Sequence, residues 1–103
     1  MSESQAGKPL ETITAEIRKH DERMKQAYTA LMKSFAENEL TARIAALRSS
    51  QNLWAGFRDA NCKYYFLEFE KSALGPMMSA SCNLRMTVAR ANELEDEVRS
   101  QLD

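Results

Sequence analysis

The run Ser72-Ala-Leu-Gly-Pro76 is the strongest break in the chain. Glycine permits turns, and proline suits the first turn of a helix but not its interior. On either side the apolar residues recur in steps of three and four, the period of an amphipathic helix. Before the break they include Leu40, Ile44, Leu47, Trp54, Phe57, Tyr64, Tyr65 and Leu67. After it they include Met77, Leu84, Val88, Ala91, Leu94, Val98 and Leu102. Two helices joined by so short a turn form an antiparallel hairpin. Cys62 and Cys82 stand equidistant from Ser72, so the hairpin faces them across its two arms. A disulfide is favoured there in an oxidising compartment, and two free thiols remain the alternative in a reducing one.

A further helix precedes this hairpin. Leu10, Ile13, Ile17, Met24, Tyr28, Leu31 and Phe35 mark its apolar face, interrupted at His20 and Asp21. The pattern predicts a helix from Leu10 to about Asn38, capped by Thr12 or Thr14. Glu37-Asn38-Glu39 ends it, with Asn38 tolerating a left-handed conformation. Thr41 is the expected cap of the second helix, which runs to about Lys71; the aromatic stretch Asn61–Phe66 would also suit a bend or local strand, but helix is the preferred reading. The fold class is therefore all-α, an antiparallel three-helix bundle or hairpin stack, stapled by one disulfide if the compartment is oxidising. Residues 1–9 read as a flexible lead-in and residues 10–103 as one helical domain.

At 103 residues with a net charge of -1, the chain lacks the clustered basic surface that nucleic acid or an anionic membrane requires. Its first residues lack the apolar core of a signal peptide. They suit either a cytosolic protein or a mature form after removal of an export signal.

The second helix carries an unusual seam. Leu47, Gln51, Trp54 and Arg58 stack along one stripe, with Phe57 placed on the same side. Apolar and polar groups alternate, so Arg58 requires a partner; Asp59, Asp21, Tyr28 and Arg90 are candidates. The alternative role for Arg58-Asp59 is recognition of a partner's carboxylate.

Three strings carry a resemblance. They are Asp21-x-x-Met24-x-x-x-Tyr28, then Leu47-x-x-x-Gln51-x-x-Trp54-x-x-Phe57-Arg58-Asp59-x-x-Cys62, then Cys82-x-x-x-x-Thr87-x-x-Arg90-x-x-x-Leu94. Together the chain resembles the LprI-like lysozyme-inhibitor domain family, from about Asp21 onward. The resemblance implies a small, helical, exported bacterial protein, periplasmic or secreted, with a Cys62–Cys82 disulfide. It implies that Asp21, Tyr28, Gln51, Trp54, Phe57, Arg58, Asp59, Thr87 and Arg90 form the structural signature. It further implies a non-enzymatic protein, with lysozyme as a possible protein partner.

Catalytic chemistry finds little footing. His20, in Arg-Lys-His-Asp, is the only histidine, and a disulfide removes the thiols it would activate. Cys62, Cys82 and His20 lack metal-ligand spacing, so no metal and no cofactor are expected. The carboxylates Glu68, Glu70, Glu93, Glu95, Asp96 and Glu97 read as solvated helix faces, not a glycosidase pair. The candidate binding loop is the hairpin tip, with Lys71, Ser72, Leu74, Gly75, Pro76, Met77 and Met78. The alternative function is a cell-envelope interaction or small-ligand module, using a groove lined by Tyr64, Tyr65, Phe66 and Phe69.

Overall fold

Three helices of equal length follow one another: α1 (Leu10–Glu37), α2 (Thr41–Glu68) and α3 (Gly75–Leu102). The computed structural model describes residues 10–102, so the expected lead-in at 1–9 lies outside the described residues. The course is up, down, up, over an elongated body of 51 × 25 × 18 Å. α3 packs along both of the other helices, whereas α1 and α2 meet only narrowly. The all-α antiparallel bundle expected from the spacing is the observed fold. α2 is continuous helix through Asn61–Phe66, with no strand.

The core follows from the apolar steps of α1. Met24, Ala27, Leu31 and Phe35 are buried against Ala91 and Leu94 of α3. The two alanines keep the helix surfaces thin where they cross, so the larger side chains beside them interlock. Tyr28, Leu40, Ile44, Leu47, Trp54 and Val98 close over this cluster. Ile13 and Leu84 are buried as well.

The helix ends differ from expectation by a few residues. The left-handed residue of the first turn is Glu39, at φ 56°, not Asn38. Asn38 instead turns both its backbone and its side-chain amide onto the Ser34 carbonyl, at 3.1 and 2.8 Å. That satisfies one of the carbonyls orphaned at a helix end. Thr41 is the first residue of α2 but not its cap: that position is Leu40, and no side chain caps it. Thr14 does not cap α1 either. It lies within the helix and donates to the Leu10 carbonyl at 2.9 Å. α2 stops at Glu68 rather than Lys71, because Phe69 and Glu70 bond back to the carbonyls of Phe66 and Leu67 at 3.2 and 3.3 Å. That tighter winding ends the α-helix.

Candidate functional site

The staple joins α2 to α3. Cys62 and Cys82 form a disulfide with Cα atoms 5.4 Å apart, as the hairpin register requires. Both cysteines are buried. Asn61 covers the bridge, donating to Met86 Sδ at 3.3 Å. Thr87, one helical turn beyond Asn83, is completely buried and donates to the Asn83 Oδ1 at 2.9 Å.

A polar hub lies one step along the same interface. Arg90, with a side chain only 10% exposed, donates to Gln51 Oε1 and Ser50 Oγ, both at 3.0 Å. It also bonds Glu93 at 2.7 Å. Gln51 then turns its amide to Met24 Sδ of α1 at 3.3 Å. One guanidinium thus fixes the register of α2 on α3, and one glutamine links that pair to α1. A buried arginine stripped of such partners would cost several kcal/mol.

Arg58 uses nearer partners. Its guanidinium stacks over the Trp54 ring, 4.8 Å from the centroid, and bonds Asp59 at 3.0 Å. Asp21, on α1, pairs with Lys25 at 3.0 Å. Asp21, Tyr28 and Arg90 are therefore not drawn to Arg58. Phe57 departs from the expected seam. It is 62% exposed, because three residues beyond Trp54 the helix has swung its side chain away from α3.

A second network had no local signal in the sequence. Arg23 of α1 grips Glu95 of α3 with two bonds of 2.9 and 2.5 Å. It also reaches Asn92 at 2.7 Å and His20 Nδ1 at 2.6 Å. Glu95 and His20 are therefore half-buried partners rather than solvated residues. The hydrogen bonds from Arg23 hold the Glu95 carboxyl below the usual range, against the opposing effect of burial. Glu95→Gln is expected to cost about 0.5–1 kcal/mol at neutral pH, the scale of a partly exposed pair. A depressed carboxylate pKa stabilises above its unfolded value and loses that contribution as pH falls through the folded one. The gap between wild type and Glu95→Gln should therefore narrow as the pH falls below the ordinary glutamate value of about 4.3, as urea titrations would show.

The hairpin tip is compact. Ser72 donates its hydroxyl to the Phe69 carbonyl and accepts from the Leu74 amide, both at 3.1 Å. Lys71, Ser72, Leu74 and Pro76 are exposed; Met77 and Met78 are half-buried. Gly75 is not needed here for an unusual φ, since no glycine has a positive one among the described residues. It is needed for space: a Cβ there would meet the Phe66 ring and the Phe69 carbonyl at 3.3 Å.

Of the aromatic residues above the tip, Tyr64 and Tyr65 meet edge to face with ring centroids 5.3 Å apart. Tyr64 is exposed, and Tyr65 is half-buried beneath Arg85 at 5.7 Å. Phe66 packs on Gly75, and Phe69 is half-buried. Among the described residues no three His, Cys, Asp or Glu side chains gather to hold a metal. No described helix is long and apolar enough to cross a membrane.

An uncharacterized protein of Rhizobium meliloti (strain 1021) is 30% identical over 57 residues, 55% of this chain. The chain spans 41% of the length of that relative. No solved structure matches. A family model described as "Lysozyme inhibitor LprI" matches residues 1–94. That match takes in α1, α2, both cysteines and α3 as far as the buried Leu94, and so this chain belongs to the LprI lysozyme-inhibitor family.

Proposed function

We propose that this protein is an exported, non-enzymatic inhibitor of a lysozyme-like muramidase and that its hairpin tip occludes the enzyme's cleft. The observation that carries the reading is membership of the inhibitor family. The geometry is compatible with it. The tip from Glu70 to Met78 lies at one end of an elongated bundle and presents Lys71 and Leu74 to solvent. It is held by the Ser72 bonds and by the staple behind it, so less ordering entropy is lost on binding. Muramidase clefts carry a pair of catalytic carboxylates. Lys71 would meet that negative charge while Leu74 fills an adjoining apolar surface. With a net charge of -1, little long-range steering is expected, and association should be only weakly salt-dependent.

The test is a titration of the oxidised protein against a c-type lysozyme, following complex formation and cell-wall lysis together. Stoichiometric inhibition is expected. Lys71→Ala combined with Leu74→Ala should weaken it at least tenfold without lowering helicity. No complex at micromolar concentration would remove the inhibitor reading.

A second reading is an envelope protein-interaction module. The observation favouring it is the exposure of Leu53, Phe57 and Tyr64 along α2.

A further inference from the structure

Helix α2 is apolar on two opposite faces. One is the seam through Ile44, Leu47, Trp54 and Cys62, which meets the rest of the bundle. The other points away from it. Ala46, Leu53, Phe57, Ala60, Tyr64 and Leu67 are all exposed, with Leu53 at 72% and Tyr64 at 59%. With the position of Ser50 included, whose hydroxyl is turned aside to Arg90 of α3, the steps alternate between four and three. That is the repeat by which one helix packs along another. The stripe extends about 32 Å at about 1.5 Å per residue. Single exposed apolar residues are ordinary; a continuous stripe marks a contact surface.

We propose that this face pairs antiparallel, about a two-fold axis, with the same face of a second copy of the chain. The stripe is unequal end to end, with small residues first and large ones later. A two-fold axis at the level of Ala55 sets Ala46 opposite Tyr64, Ser50 opposite Ala60, and Leu53 opposite Phe57. Each pairing occurs twice by symmetry. The outermost pair sets a large side chain against a small one, Ser50 and Ala60 let the helices approach, and Leu53 and Phe57 pack at the centre. A parallel pairing would set Tyr64 on Tyr64 and leave a gap between the two Ala46 residues.

Charge follows the same register. Arg43 of one copy arrives beside Leu67 and Glu68 of the other. Glu39 and Lys71 flank the two ends of α2, in the turns outside its helical register. All four of these charged residues are exposed. Arg43 is held within its own chain by a long bond to Gln101, 3.3 Å, and lies 5.9 Å from the Phe35 ring centroid. Both partners lie on the bundle side of α2, so the guanidinium turns from this long bond to reach the second copy's Glu68. Tyr64 against Ala46 and Arg43 beside Glu68 arise together in this one register, as a self-complementary face requires.

Sedimentation analysis of the oxidised full chain, from micromolar to millimolar concentration, tests the pairing. Wild type should show a monomer–dimer equilibrium, and Phe57→Glu should be monomeric with unchanged helicity. Arg43→Glu and Glu68→Arg should each weaken the dimer at least fivefold, and the two combined in one chain should restore it. Within one copy these positions lie about 37 Å apart on the same helix. Restoration therefore reports a contact between copies. A wild type that stays monomeric throughout overturns the proposal, as does a dimer that survives Phe57→Glu. A monomeric wild type whose lysozyme binding is lost in Phe57→Glu also overturns it and assigns the face to lysozyme.

Discussion

Reducing the Cys62–Cys82 bridge should lower stability by about 3 kcal/mol, the chain-entropy value for a loop of this size. For a domain of this length that corresponds to a fall of roughly 10–20 °C in the thermal midpoint. The expectation rests on placement. The bridge joins α2 to α3, and α3 is the helix against which both others pack. An unfolded chain freed of the bridge gains the conformations in which the hairpin opens. Circular dichroism melts with and without reductant measure the effect, and the double variant Cys62→Ala with Cys82→Ala separates it from reductant chemistry. A loss below about 1 kcal/mol would mean that the hairpin persists in the reduced unfolded chain.

Leu31→Ala should be as damaging, at about 3 kcal/mol. Leu31 is 1% exposed, within the cluster formed by Met24, Ala27, Phe35, Ala91 and Leu94. Removing its methyls leaves a cavity between α1 and α3 that two rigid helices close only in part. Phe57→Ala removes more carbon, yet should change monomer stability by less than about 0.5 kcal/mol, because the ring already faces water. Denaturant titrations of the two variants at low protein concentration make the comparison. Equal losses would place Phe57 in the core.

That contrast shows what was legible in the residues alone. α1 reads plainly because it has one apolar face, and its steps from Met24 to Phe35 name the core. The break at Ser72–Pro76, with a cysteine equidistant on each side, reads as a hairpin and its staple. α2 does not read plainly. Phe57, Tyr64 and Leu67 fit the helical period as well as Leu47 and Trp54 do, and only the position of α3 decides which set is buried. The Arg23–Glu95 pair is separated by 72 residues, and nothing near either residue announces it. The turn at Glu39 runs against residue preference: Asn38 is the better left-handed residue, but its amide is occupied with the Ser34 carbonyl. In the candidate site, the exposure of the tip follows from its position at the end of two helices. The choice of glycine at residue 75 follows from the Phe66 ring, which spacing cannot reveal.

The most direct test of cleft occlusion is competition. A lysozyme whose cleft is filled by a chitin oligosaccharide is titrated with the oxidised protein, beside the same enzyme with its cleft empty. The oligosaccharide should weaken apparent binding in proportion to its occupancy of the cleft. Binding of equal strength to filled and empty enzyme would contradict occlusion and place the contact away from the catalytic carboxylates.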